Sequence, residues 1–533
     1  MSKGVYNLLH EKWILAADFE NKVEMFSILE IFKKAHKLKN LAGELPTQDI
    51  AILRLLLSVL HTVFYRCSPN GEENELESQQ EATERWRELW EAGELPHSLI
   101  EEYLISYENR FYLFHPKYPF MQVKSENGFW TSDGKKIAVS EKELNYFVGE
   151  IAESGNKENL FLSRKRNSEL PCDEAARWLI HLNSFDLSPS GRPPNNEVKI
   201  KGYGSAWLAN LGLVYLQGET LFETMMLNLV LGPEDEDDYW DEKPMWEDET
   251  EIDGSILQTI DVPLPRTLNK LYSMRFRFIE LLPSEDKKAV TSVKIWSGCK
   301  FVDENQFIEP MTVWRKDKGN FKPKSHSPKK RAWQDFAALL IRHQKDTRRP
   351  GVLDWIQVLK DDGVEGIGFI EVKTTGYETK NNSAIKDVFS DGFSIHAELI
   401  RRAEEGVWLL RISDEVATIE KLVEEAGWLA KDLGIAKGDI NGGYKDRDKA
   451  KEQAYSRLDI PFRQWLEHIN PETDDVDEKC KAWREEAKNI IKQLGDELVE
   501  QAGPQALVGR YKDDKWYTAA RAHIQFLSRV KKI

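Results

Sequence analysis

Cysteine is scarce in this chain: Cys67, Cys172, Cys299 and Cys480 are the four in 533 residues, and each is more than a hundred positions from the next. Such wide spacing excludes the close-set pairs of a structural zinc site, so neither metal nor cofactor is expected. A free cysteine behaves as a small apolar residue, and burial is the expected fate of these thiols. Long apolar runs are also missing. No stretch approaches the roughly 18 uncharged residues of a membrane-spanning helix, and Met1-Ser2-Lys3-Gly4 lacks the apolar core of a signal peptide. The expectation is a cytoplasmic protein without a membrane partner.

Catalytic signatures are absent too. The sequence has no glycine-rich phosphate loop ending in Gly-Lys-Ser/Thr, no Gly-x-Ser-x-Gly elbow and no His-Glu-x-x-His, and its eleven histidines are scattered. Ile370-Glu371-Val372-Lys373, preceded by Asp361-Asp362, superficially offers the acidic pair and lysine of a metal-dependent nuclease, in which carboxylates hold Mg²⁺ and the lysine orients the attacking water. A strand with alternating exposed charges produces Glu-Val-Lys equally well. No catalytic residue is nominated, and binding is the better inference.

What the chain does have is length, 41% hydrophobic residues and strongly segregated charge. The length and apolar content suit two or three domains with a substantial core. The net charge of −16 opposes a freestanding nucleic-acid binder, which neutralises phosphates with a basic face. Local fields decide where a polyanion approaches, however. Glu234 to Asp253 holds twelve acidic residues and one lysine, whereas Arg315 to Arg331 holds eight lysines and arginines against one aspartate. The acidic stretch reads as a solvated loop docked in part through Trp240 and Trp246. The basic one reads as a flexible loop able to lend salt-dependent affinity along a DNA path. Lys157 and Arg164-Lys165-Arg166 form a second basic cluster.

Two textures divide the chain, giving an α+β fold class. Residues 1–393 read as one large mixed domain of short helices and strand-like runs such as Gly212 to Leu216 and Ile367 to Lys373, joined by loops rich in Pro, Gly and Asn. Residues 394–533 show long helical periods and few prolines, with helices expected near 395–405, 414–433, 445–467, 476–501 and 516–531. Ile419, Leu422, Val423, Ala426, Leu429 and Leu433 fall on one helical face. Long helices with short links favour an antiparallel four-helix bundle.

Several segments carry a family resemblance in a consistent order. They are Asn7-Leu8-Leu9 with Trp13-Ile14, Leu41 to Asp49 leading into the apolar helix Ile52 to Val63, Tyr118 to Lys124, Glu174 to Leu179, Gln217 to Thr224 with Leu227-Asn228-Leu229, and Lys243 to Glu247. Together they resemble CasA, the large subunit of the type I-E CRISPR surveillance complex Cascade. Taken singly, most of these residues would simply hold a core. The resemblance implies a C-terminal four-helix bundle and a non-catalytic task, namely recognition of a short motif (the PAM) in double-stranded DNA and the start of duplex opening for pairing with a CRISPR guide RNA. It implies as partners that RNA, the target DNA, the other Cascade subunits and a separate helicase-nuclease. The rival reading is an architectural subunit of an RNA–protein assembly that does not read DNA.

Three segments resemble the family's contact loops. Ser154 to Phe161 is similar to the mobile loop at the guide's 5′ end, making Asn156, Lys157 and Phe161 candidate guide contacts. Phe161 would stack on a base, with Leu160 the alternative by a one-residue shift. Lys199 to Ser205 lies where the family has a glycine-rich loop in the minor groove, so Lys201, Gly202, Tyr203 and Gly204 are candidate PAM contacts. Glycine lets backbone approach a narrow groove closely, and minor-groove readout there is degenerate. A plain turn before the next strand is the bland alternative. Thr375 to Ala384 is similar in placement to the hairpin that drives a polar wedge beneath the motif, its tip falling on Asn381 or Asn382; an Asn-rich β-turn would look the same. The family's groove-reading lysine has no clear equivalent around Phe307 to Arg315.

Overall fold

The most apolar segment of the chain forms helix α1 (Pro46–Arg66), which opens on a proline at its first turn. Proline is tolerated there because that N–H has no intrahelical partner. By length and apolarity α1 is the one helix among the described residues that could cross a membrane, yet 94% of the qualifying stretch is buried within the protein. Its apolarity serves the core. The computed structural model describes residues 4–124, 129–130, 136–137, 141–148, 169–187, 205–232, 240–248, 261–262, 265–297, 300–301, 309–342, 344–380, 384–401, 407–439 and 443–533.

The chain forms two compact units. One comprises Met1–Lys330, Arg342–Glu365 and Glu371–Asp391; the other comprises Arg331–Ile341, Gly366–Ile370 and Gly392–Ile533. The first is mixed. Helix α2 (Cys172–Phe185) packs against α1, strand β1 (Leu213–Gln217) follows, and short helix α3 (Leu268–Ser273) also lies on α1. Strands β2 (Arg277–Pro283) and β3 (Ala289–Ser297) pair antiparallel, with Ile279 opposite Ile295 and Leu281 opposite Val293. A second hairpin, β4 (Trp314–Asp317) and β5 (Asn320–Pro323), turns at Lys318 and Gly319, both at positive φ. Strands β6 (Phe369–Lys380) and β7 (Ala384–His396) form a long hairpin, of which residues 371–391 belong to this unit; β6 also pairs antiparallel with β1, Leu213 facing Thr375 and Gln217 facing Glu371.

The second unit is mostly helical. Helices α4 (Val407–Lys437), α5 (Tyr444–Glu467), α6 (Val476–Glu500) and α7 (Ala519–Lys532) pack as a bundle. The expected stripe from Ile419 to Leu433 is buried throughout. Close packing between α6 and α7 depends on Gly495, where a Cβ would lie 2.2 Å from the ring of Phe526. Trp333, Phe462, Trp465 and Trp483 stack in sequence, with Trp333 Nε1 donating to Asp459 at 2.7 Å.

Three expectations need correction. Residues 395–405 do not begin with a helix: β7 continues to His396 and a 3₁₀ turn occupies Ala397–Ile400. Phe393, Ile395 and Ala397 are buried and alternate with half-buried neighbours, which is a period of two and not 3.6. Trp516 is not helical either. It lies in a hairpin of β8 (Arg510–Lys512) and β9 (Lys515–Tyr517), turned by Asp513 and Asp514 at positive φ, and Thr518 then caps α7 by accepting from Arg521 N at 3.2 Å. Finally, the first half of the basic stretch from Arg315 to Arg331 is no irregular loop but the β4–β5 hairpin, while Lys324 to Arg331 follow it outside any strand.

Candidate nucleic-acid interface

All nominated contact residues lie outside the described residues: Asn156, Lys157 and Phe161 in 149–168, Lys201, Gly202, Tyr203 and Gly204 in 188–204, and Asn381 and Asn382 in 381–383. What can be built upward is the frame from which the last two segments depart. Residues 188–204 leave the end of α2 and return at Ser205. Their ends are stitched together, since Ala206 N donates to Asp186 O at 2.7 Å. Arg277 from β2 locks the same junction, its Nε donating to the Asp186 carboxylate at 2.6 Å and its Nη2 to the Asp186 carbonyl at 2.8 Å. The guanidinium is almost fully buried, where a charge-assisted pair holds its geometry well.

The hairpin nominated to carry the wedge stands on the same ground. Leu187 and Ile385 form a small buried cluster, with Ala209, Tyr377 and Val388 packed against it. Leu187 precedes one nominated loop, Ala209 follows it, and Tyr377, Ile385 and Val388 flank the other, so two segments far apart in sequence share one root. Tyr377 is pinned from below. Its ring packs on Phe185 at 5.4 Å, and its hydroxyl lies 3.0 Å from His181 Nε2, which is also 3.0 Å from Thr47 Oγ1. Burial pushes the Tyr377 phenol well above its usual range, so it stays protonated.

Strand β1 carries the basic hairpin on its other flank. Val214 N donates to Met311 O at 2.9 Å and Thr312 Oγ1 to Gly212 O at 2.9 Å. Position 212 must be glycine because a Cβ there would sit 2.2 Å from the carbonyl oxygen of Lys324. The chain leaving β5 thus crosses directly over the start of β1. Arg315, Lys316, Lys318 and Lys322 are presented by this hairpin, and Lys322 is offset by Asp317 at 3.3 Å.

The stretch in which a groove-reading lysine was sought has another duty. Glu309 is fully buried and takes a bidentate pair from Arg54 on α1, at 2.7 and 2.9 Å, together with Trp207 Nε1 at 2.8 Å. Arg54 also lies 4.0 Å over the Tyr272 ring. Trp207, just past the glycine-bearing loop, is therefore tied to the core helix through one carboxylate. Sequence reading missed Glu309, Asp186, Arg277 and Leu187 because each works through a partner tens to hundreds of positions away.

Other motifs resolve plainly. Trp178 and Trp246 are core residues, whereas Trp240 is exposed, with the Arg266 guanidinium 4.0 Å from the centre of its ring. The docked part of the acidic stretch is paired: Arg66 binds Asp241 and Glu247, and Lys270 binds Asp248. Glu371 and Lys373 form an ion pair at 2.9 Å along β6, and the described residues hold no His/Cys/Asp/Glu cluster of metal-binding kind. Cys172 and Cys480 are buried, Cys67 is partly exposed, and Cys299 lies outside the described residues.

Comparison with known proteins places this frame in a lineage. The family model of CRISPR-associated protein Cse1 matches residues 7–494, and the chain belongs to that family. It is 27% identical over 481 residues to the CRISPR-associated protein CasA/Cse1 of Thermus thermophilus, covering 85% of this chain and 82% of that one. The crystal structure of Thermobifida fusca Cse1 superposes with a TM-score of 0.79 at 28% identity, over 99% of this chain and 98% of that one. A chain of a structure titled "CRISPR RNA-guided surveillance complex" has the same fold, with a TM-score of 0.72 at 16% identity over 99% of this chain and all of that one.

Proposed function

We propose that this protein is the large, non-catalytic subunit of a type I-E Cascade complex in the cytoplasm, and that it reads the PAM in double-stranded DNA and starts duplex opening. The observation that carries this reading is the shared root at Leu187 and Ile385, from which both the glycine-bearing loop and the wedge hairpin depart. Groove reading and strand separation act on adjacent base pairs, so a common base suits loops that work together. Lys201, Gly202, Tyr203 and Gly204 line the groove, Asn381 and Asn382 form the wedge, and Asn156, Lys157 and Phe161 contact the guide RNA.

The mechanism is binding and strain. The cations of the β4–β5 hairpin hold phosphates without sequence preference. Groove contacts then select the motif, and the wedge opens the first pairs. Guide–target pairing continues as a nearly balanced strand exchange, so modest recognition energy suffices to tip it. The helical unit contacts neighbouring subunits and helps recruit the helicase-nuclease that degrades the target. Replacing Gly202 and Gly204 with bulky residues tests the assignment: motif-dependent duplex binding should fall while assembly on guide RNA persists. Unchanged duplex binding would favour the architectural reading.

A further inference from the structure

A second group of cations lies on the turn between Arg110 and Lys124. Arg110 ends a 3₁₀ turn (Glu108–Arg110), and its guanidinium lies 4.3 Å from the centre of the Tyr118 ring. His115 stacks on the same ring at 5.5 Å and 12°, and Lys117 Nζ is 4.8 Å from its centre. His115 Nδ1 accepts from the backbone N–H of Tyr118 at 2.7 Å and of Lys117 at 3.2 Å. That places the proton of the neutral ring on Nε2, as a donor facing away from its own turn. Burial, with Arg110 and Lys124 nearby, lowers the basicity of this imidazole.

The turn itself is tied to the core. Phe120 is buried against Phe111, and the Gln122 side chain donates to Leu113 O at 2.7 Å and accepts from Leu281 N at 2.9 Å. Three cations are therefore gathered on a fixed scaffold, and among the described residues none of them has a carboxylate within ion-pair distance. The nearby Glu108 is engaged by His10 at 3.1 Å. Arg110 Nη1 is buried and has no hydrogen-bond partner among the described residues. Nη1 is closed off from solvent, so an anion would meet the guanidinium through its accessible edge. The forked guanidinium matches a phosphate bidentately, with lysines adding point charges.

We propose that Arg110, His115, Lys117 and Lys124 form a binding site for a backbone phosphate of a nucleic acid. This site uses none of the residues of the glycine-bearing loop or the wedge; it rests on the nucleic-acid reading only for the source of the phosphate. The test measures binding of the full chain to a labelled single-stranded RNA and, separately, to a labelled DNA duplex across a salt series, for Lys117→Glu and Arg110→Gln. Both variants should weaken one of the two probes by about threefold to tenfold and reduce the log–log salt slope by about 0.7 to 0.9, the loss of one phosphate contact. Loss confined to RNA assigns a guide phosphate, and loss confined to the duplex assigns a DNA phosphate. Unchanged affinity and slope on both probes would overturn the site. Lys117 is exposed, so its substitution remains informative if Arg110→Gln impairs folding. Substitutions at Gly202 and Gly204 leave this slope untouched if the two sites are distinct, so failure of motif reading is told apart from failure of the phosphate site.

Discussion

Leu187 and Ile385 pack together at the base of two segments that separately resemble DNA-contacting loops. Truncating either side chain should loosen both loops at once. Leu187→Ala and Ile385→Ala should each destabilise the fold by about 2 kcal/mol, at the low end for buried aliphatic truncation because the cluster is small. The double variant should depart from additivity by at least about 0.5 kcal/mol in a double-mutant cycle. Full additivity would mean that the two roots are not coupled.

Glu309 joins Arg54 and Trp207 inside the core. Removing the carboxylate strands a buried guanidinium, so Glu309→Ala should cost about 3–5 kcal/mol by denaturant unfolding. Glu309→Gln, which keeps acceptors for part of the network, should cost less. Equal losses would contradict a role based on charge pairing.

His61 is buried on α1 beside Tyr272, and burial first, then Arg54, lowers its pKa to about 3. Its folded value therefore lies below the ordinary value near 6.5. Between these two values the unfolded chain binds a proton that the folded chain refuses, so this contribution is complete above about 6.5 and is lost as pH falls toward 3. Other groups titrate in the same window, which makes the difference between wild type and His61→Phe the informative quantity. The variant's relative stability should rise as pH falls through that range; a difference independent of pH would place the histidine in a solvated setting.

The β4–β5 hairpin carries the cations proposed to hold phosphates. Lys318→Glu and Lys322→Glu should weaken duplex binding by the assembled complex to the same degree whatever bases flank the target, and each should lower the salt slope by about 0.9. Dependence on the flanking bases would instead make this hairpin part of motif reading.

The sequence made the core of this fold legible wherever a periodicity ran long enough. The stripe from Ile419 to Leu433 and the strand at Leu213 lie where the spacing put them. Short elements were harder, because His396 and Trp516 sit where strand alternation and a two-aspartate turn override a helical texture. The candidate interface was legible only as resemblance. Its frame depends on Asp186 meeting Arg277, Glu309 meeting Arg54, and Leu187 meeting Ile385, and no local pattern announces a contact between distant residues. Arg110 and Lys117 were passed over because isolated cations near a Pro-rich turn resemble ordinary surface.

The most direct test of the central claim is binding of guide-loaded Cascade, reconstituted with and without this chain, to target duplexes differing only in the bases beside the target. Motif reading by this chain predicts tight binding only when the chain is present, and only for a subset of flanking sequences. Binding that is indifferent both to the chain and to those bases would contradict it.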